Sequence, residues 1–88
     1  MPVFVGERYV ADANERAALE QAERIRAAAL QVAADGSPVR LLSTTFVPNE
    51  EWVFDVFEAP SADEVKRVYE ASGVPVERVT LGVHLPGP

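Results

Sequence analysis

An α+β fold built on one antiparallel sheet is predicted from three features of this 88-residue sequence. Its length allows one domain over residues 1–88, and its 48% hydrophobic and 25% charged content is that of a globular protein. Four runs rich in β-branched and aromatic residues alternate with two amphipathic segments. Because their order is β-α-β-β-α-β, the sequence predicts a ferredoxin-like sandwich, with two helices on one face of a four-stranded antiparallel sheet.

The first strand and first helix are predicted within the N-terminal 35 residues. The strand covers residues 2–10, which are mostly β-branched or aromatic. Asp12 and Glu15 have the spacing of a capping box, which predicts that the helix begins there. Asp35 and Gly36 end it, because glycine readily adopts left-handed geometry. The inner face repeats every three or four residues, at Ala18, Ala22, Ile25, Ala29, Val32 and Ala33.

A hairpin, a second helix and a last strand are predicted in the remainder of the chain. Ser61 and Glu64 have capping-box spacing at the start of the second helix, and Gly73 stops that helix. Val65, Val68, Tyr69 and Ser72 mark its inner face. The three strands are predicted over residues 39–47, 52–59 and 76–85.

The predicted third strand is apolar on both faces. Trp52, Phe54 and Val56 point to one side, whereas Val53 and Phe57 point to the other. Two helices can cover only one face of the sheet, and strands with this pattern are buried on both faces. The sequence therefore requires a cover for the face without helices.

The second strand repeats this pattern, with Leu41 predicted on one side and Leu42 and Phe46 on the other. An identical sheet related by a two-fold axis is the simplest cover, which predicts a homodimer through the open face, of the dimeric α+β barrel type. A hydrophobic ligand cavity is the competing cover.

Composition and charge exclude several classes of protein. Fourteen acidic residues against eight Lys and Arg give a net charge of −6, which argues against nucleic-acid binding. No apolar run reaches the roughly 18 residues of a membrane span, and no secretory signal is visible. We therefore expect no membrane partner and a cytoplasmic location. The absence of cysteine excludes disulfides, thiolate metal sites and cysteine nucleophiles.

Five side chains are candidates for binding chemistry. His84 is the only histidine and is predicted on the open side of the last strand. Asp55 interrupts the apolar third strand, so its charge must be paired, solvated or protonated. If Arg8 shares the face of Asp55, the two form a structural salt bridge. If Glu7 does, a carboxylate pair results that either raises the pKa of one carboxyl group or favours a cation. Glu7, Asp55 and His84 are thus the candidate metal ligands, and Arg8 and Tyr9 are candidate ligand-binding residues.

Four stretches of the sequence together carry a family resemblance. They are Glu7-Arg8, residues 54–60 (FDVFEAP), Asp63-Glu64-Val65 and residues 71–79 (ASGVPVERV). The chain resembles a family of small, mostly bacterial proteins of unknown function, with a ferredoxin-like dimeric fold, that includes a nickel-binding protein. The resemblance implies this fold and a dimer, and it points to nickel as a metal.

Three functions are compatible with the sequence. The first is a small homodimeric binding protein for nickel or another divalent metal. The second, by analogy of fold, is a cofactor-independent monooxygenase or a cyclase or isomerase that acts on a small aromatic or polyketide compound. The third is a structural or regulatory module without a small ligand. No catalytic residue can be named from the sequence.

Overall fold

The computed structural model describes residues 1–88, apart from the side chain of Ala13. The strands are β1 (Val3–Tyr9), β2 (Arg40–Val47), β3 (Trp52–Glu58) and β4 (Arg78–Gly82), and the helices are α1 (Glu15–Ala34) and α2 (Ala62–Ser72). Short 3-10 turns at Ala11–Ala13 and Pro48–Glu50 complete the order. The predicted β-α-β-β-α-β arrangement is confirmed.

The four strands form one antiparallel sheet in the order β2-β3-β1-β4. The first and third strands are therefore central, as a ferredoxin-like sandwich requires. Burial alternates along both of them: Phe4, Gly6 and Arg8 of β1 are buried, and their neighbours in the strand are not. This alternation distinguishes a helix-covered face from an open face of the same sheet.

The main core lies between the helix-covered face and the two helices. Phe57 in β3, Ile25 in α1, and Val65 and Val68 in α2 are fully buried in one cluster. Ala28 and Ala29 let α1 lie close to its neighbours, since alanine adds little bulk to a helix surface. Neither α1 nor α2, within the described side chains, is long and apolar enough to cross a membrane.

The start of α1 corrects the predicted capping box. Asn14, and not Asp12, is the N-cap: its Oδ1 accepts a hydrogen bond from the backbone N–H of Ala17 at 3.0 Å. Asp12 instead has a φ of 64°, in the left-handed region that aspartate tolerates better than most residues. The helix therefore begins at Glu15.

The ends of α2 follow the prediction more closely. Ser61 occupies the N-cap position, and its hydroxyl donates to the Glu64 carboxylate, although its side chain makes no cap bond to the helix backbone. Gly73 has a φ of 71°, and its N–H bonds to the carbonyls of Tyr69 and Glu70. The predicted glycine stop is confirmed.

A β-bulge in β2 corrects the predicted side-chain directions in that strand. Leu41 pairs with Phe57 and Ser43 pairs with Val56, so Leu42 has no counterpart in β3. The extra residue shifts the alternation by one position. Leu41 and Phe46 consequently lie on the same, helix-covered face, where both pack against core residues.

The last strand is shorter than predicted. It covers Arg78–Gly82 instead of residues 76–85, and residues 83–88 form no helix or strand. His84 is therefore exposed beyond the end of β4, and it does not lie on the open face of the strand as predicted.

Candidate functional site

A buried ion pair lies at the centre of the helix-covered face. Arg8 Nε donates to Asp55 Oδ2 at 2.7 Å, and Arg8 Nη2 donates to Asp55 Oδ1 at 3.3 Å. Both side chains are almost fully shielded from solvent. Of the two arrangements left open by the sequence, the Arg8–Asp55 salt bridge is the one observed, because β1 residues 6 and 8 share a face with Asp55.

Two hydroxyl groups complete the coordination of the Asp55 carboxylate. Thr44 Oγ1 donates to Oδ1 at 2.8 Å, and the Tyr69 hydroxyl donates to Oδ2 at 2.7 Å. Arg8 Nη1 in turn donates to Gln21 Oε1 at 2.8 Å. Asp55 thus accepts four hydrogen bonds, and no buried side-chain polar atom among the described residues lacks a partner. We call Arg8, Gln21, Thr44, Asp55 and Tyr69 the buried network.

A glycine in β1 makes room for the network. A Cβ atom added to Gly6 would lie 1.8 Å from the Tyr69 hydroxyl oxygen, far inside van der Waals contact. Gly6 pairs with Asp55 across the sheet, so Tyr69 reaches the carboxylate over the backbone of Gly6. Only a residue without a side chain allows this approach.

The environment of Tyr69 keeps its hydroxyl protonated. Burial, together with the charge of Asp55, raises the pKa of Tyr69 far above its ordinary value of 10.0. Tyr69 therefore acts as a hydrogen-bond donor to Asp55 throughout the physiological range. The network contains a carboxylate, a guanidinium and a neutral phenol, but all of these groups bond to one another. We conclude that it stabilises the fold.

The open face carries a second ion pair, one residue earlier in β1. Arg78 Nε and Nη2 donate to the two carboxylate oxygens of Glu7 at 2.6 and 2.9 Å. These hydrogen bonds lower the pKa of Glu7 and raise the pKa of Arg78. Unlike the buried pair, this pair contacts solvent, since the Arg78 side chain is 68% exposed.

An aromatic pair lies at the end of the open face next to Glu7. The rings of Tyr9 and Trp52 meet edge to face, with centroids 6.0 Å apart. The Tyr9 hydroxyl donates to Glu51 Oε1 at 2.9 Å, and this bond raises the pKa of Tyr9. Tyr9 is 51% exposed, so both its ring and its hydroxyl are accessible to a ligand or a second protein.

The centre of the open face carries apolar side chains that are only partly buried. Val3 and Val5 of β1 alternate with the buried residues of the helix-covered face, and Phe54 and Val56 of β3 lie beside them in register. None of these four side chains is buried, whereas every core residue on the other face is. The expected two-sided apolar sheet is therefore present, with one side uncovered.

The three candidate metal ligands lie in three different places. Glu7 is on the open face, Asp55 is inside the buried network, and His84 follows β4. No group of three His, Asp or Glu side chains that could hold a metal occurs among the described residues. Metal binding by Asp55 would also require the loss of donors that now neutralise its charge.

Sequence reasoning identified Arg8 and Asp55 but missed how the network is completed. Tyr69 lies on the inner face of α2 as predicted, whereas the sequence predicts no role for Thr44. The missed signal was Gly6, because glycine inside a central strand indicates a close approach by another group. The contact of Gln21 with Arg8 could not be predicted, since its position in α1 fits a solvated residue equally well.

The comparisons with known proteins agree with this architecture. Residues 4–81 match the model of a family described as nickel responsive protein SCO4226-like. The crystal structure of SCO4226 from Streptomyces coelicolor A3(2) is similar, with a TM-score of 0.71 and 25% sequence identity over 97% of this chain and 99% of that chain. No curated protein matches the chain. The chain belongs to the SCO4226-like family, which confirms the resemblance found in the sequence.

Proposed function

We propose, from membership in this nickel responsive family, that the chain is a homodimeric binding protein for Ni²⁺. The observation that carries the proposal is the contrast between the two faces of the sheet. The helix-covered face has a complete core, whereas the open face presents an apolar surface beside the Glu7–Arg78 ion pair, in which the Glu7 side chain is 18% exposed. A second copy would cover this surface and supply further donors.

The dimer is supported by the side chains of the open face. Val5, Phe54 and Val56 lie at the centre of a sheet that has neither a helix nor a loop over them. Contiguous apolar surface of this kind typically marks an interface. A two-fold axis through this face would place identical residues against each other and bury both apolar surfaces at once.

The metal site in this proposal uses donors from both copies. A single chain brings no three donors together within its described residues, so the second copy must contribute. His84 is exposed and supplies the imidazole that Ni²⁺ favours. Glu7 supplies a carboxylate, on release from Arg78. Asp55 has no role in this site, because Arg8, Thr44 and Tyr69 already saturate its oxygens.

The dimer is tested by light scattering at micromolar concentration. The expected mass is about twice the 9.6 kDa of one chain. Phe54→Glu would place a charge in the centre of the interface and should give a monomer. Glu70→Gln, on the exposed side of α2, is the control and should remain dimeric. A monodisperse wild-type monomer would contradict the proposal.

Nickel binding is tested separately by calorimetric titration with NiCl₂ and by thermal melting. Ni²⁺ should raise the melting temperature of the wild type, and His84→Ala should weaken binding at least tenfold, about 1.4 kcal/mol. Glu7→Gln should weaken it as well, while Glu70→Gln should bind as the wild type does. If Ni²⁺ neither binds nor shifts melting, the metal-binding function is wrong even if the dimer is present.

A further inference from the structure

A groove lies between α1 and β2 on the helix-covered side of the sheet. Its volume is 480 Å³, within the roughly 300–1,000 Å³ of pockets that bind small molecules. The side chains of Leu19 on α1 and of Leu41, Leu42 and Phe46 on β2 form apolar walls. Leu19 and Leu42 are 63 and 42% exposed, so part of this apolar surface is not covered by the core. A single chain therefore offers a small molecule an apolar groove.

Two alanine residues of α1 keep the groove open. Ala18 and Ala22 are one helical turn apart, and both line the groove. Because an alanine side chain ends at Cβ, it leaves a space beside the helix that a leucine at the same position would fill. The space thus follows from the sequence of α1, and the polar groups along it determine what it can bind.

Thr44 is the member of the buried network that lines the groove. Its hydroxyl donates its single proton to Asp55 Oδ1 at 2.8 Å, so its oxygen can accept a further hydrogen bond but cannot donate one. A hydroxyl that donates to a carboxylate is also a stronger acceptor, because hydrogen bonds in a chain polarise one another. Ser43 lines the groove as well, but its exposed hydroxyl can donate or accept and sets no preference. A ligand must therefore present a donor to Thr44.

The charged side chains along the groove favour a cation. Glu15 and Glu23 line it together with one basic residue, Arg26, and all three are exposed. The net charge of −6 adds a long-range field that attracts cations and repels anions. Among the groups that can donate a hydrogen bond, a protonated amine is thus the one that suits both the acceptor at Thr44 and the acidic side chains.

We propose that the α1–β2 groove is a binding site for a small apolar amine. The aromatic or branched aliphatic part of the ligand packs against Leu19, Leu42 and Phe46, and its ammonium group donates a hydrogen bond to Thr44. Asp55 is a positioning residue, since it reaches the ligand only through the Thr44 hydroxyl. The site goes beyond the nickel-binding function proposed above. It uses residues of one chain, so it requires neither nickel nor a second copy.

The ligand class is tested by NMR titration of the wild type with 2-phenylethylamine, 2-phenylethanol and phenylacetate. The three share an aromatic body, and at neutral pH they present a cation, a neutral hydroxyl and an anion. We expect the amine to bind roughly tenfold or more tightly than phenylacetate, with the alcohol between them, and to shift amide resonances of α1 and β2. If either of the other two binds as tightly as the amine, the assignment to an amine is wrong. If none binds, there is no site.

The location of the site is tested by filling the groove. Ala22→Leu places a larger side chain in it and should weaken binding of 2-phenylethylamine roughly tenfold or more. Ala27→Leu makes the same change on the exposed side of α1 and should bind the amine as the wild type does. Equal affinity in these two variants would overturn the groove as the binding site.

The role of Thr44 is tested with Thr44→Val, which removes the acceptor and nearly preserves the shape of the side chain. It should weaken binding of 2-phenylethylamine and leave the affinity for phenylacetate unchanged, whereas a distorted groove would weaken both. Thr44→Ser keeps the hydroxyl and should restore binding of the amine. If Thr44→Val binds the amine as the wild type does, or loses both ligands equally, the hydrogen bond to Thr44 is wrong. If it does not fold, Ala22→Leu and the ligand series decide the proposal.

Discussion

Two ion pairs begin at adjacent residues of β1 and have opposite environments. Glu7 pairs with Arg78 on the open face, and Arg8 pairs with Asp55 on the helix-covered face. Both pairs are bidentate contacts between a carboxylate and a guanidinium, with shortest distances of 2.6 and 2.7 Å. Their chemistry is the same, and only the access of water differs.

This difference determines what each pair contributes to the protein. Water and salt screen the Glu7–Arg78 pair, so either partner can be lost at little cost to stability. Arg8 and Asp55 have no solvent to replace a lost partner, so removal of one leaves an uncompensated buried charge. The open pair is therefore free to exchange partners with a metal or a second protein, whereas the buried pair fixes the arrangement of β1, β3 and α2.

The largest expected difference in stability is between variants that remove the charge of Asp55 and of Glu7. Asp55→Asn should lower the free energy of unfolding by roughly 3–5 kcal/mol, because Arg8 then remains charged inside the core. Glu7→Gln is the matched variant on the open face and should change stability little. Urea denaturation of both variants measures the difference, and similar losses in the two would show that burial does not determine how much each pair contributes to stability.

A side chain added at Gly6 should cause the next largest loss of stability. Gly6→Ala would place a methyl group on the Tyr69 hydroxyl and force that ring away from Asp55. We expect a loss of about 2–3 kcal/mol, typical of an overpacked core with a broken hydrogen bond. Gly82→Ala is the control, since its added Cβ has no neighbour closer than 3.4 Å. If Gly6→Ala proves as mild as the control, Tyr69 does not depend on this glycine.

The smallest expected effect concerns Tyr69 and carries a pH dependence. Tyr69→Phe removes one of four donors to Asp55 and should cost about 1 kcal/mol at neutral pH. Because the folded-state pKa is raised, Tyr69 remains protonated in the folded protein above pH 10, while the unfolded chain ionises. The contribution of Tyr69 to the free energy of unfolding should therefore be fully present below pH 10. Above pH 10 it should be lost at about 1.4 kcal/mol per pH unit.

Denaturation between pH 9 and 11 measures this slope. The slope should become shallower in Tyr69→Phe and change less in Tyr9→Phe, because the Tyr9 hydroxyl is exposed. An unchanged slope in Tyr69→Phe would mean that the phenol ionises as easily in the folded protein as in the unfolded chain.

Local sequence patterns were sufficient to predict the architecture. Gly73 and the alternation of Trp52 to Phe57 each have a single structural interpretation, and both gave the observed geometry. The prediction was wrong where two neighbouring residues were equally suited to one structural role. Asn14 and Asp12 are both good caps, and the choice between them depends on the turn that precedes α1.

The candidate site was less predictable because it depends on distances between elements. The sequence was compatible with a contact of Asp55 with either Glu7 or Arg8. A shift of one residue in the register between β1 and β3 would have exchanged the two. The last strand was predicted to extend to residue 85 because Val83 and Leu85 have strand-forming side chains, but a strand also needs a neighbour with which to bond. β4 bonds to β1, and Val3, the first residue of β1, is already paired with Gly82, so residues 83–85 have no strand residue opposite them.

The bulge in β2 also affects how the length of this strand can change. Leu42 is the one residue of Arg40–Val47 without a partner in β3, so its deletion would leave every other pair of the β2–β3 ladder in register. Deletion of Leu41 or Thr44 would instead rotate neighbouring side chains out of the core or away from Asp55. We therefore expect relatives that are one residue shorter in this hairpin to lack the residue equivalent to Leu42, and alignments of the family should place their gaps there.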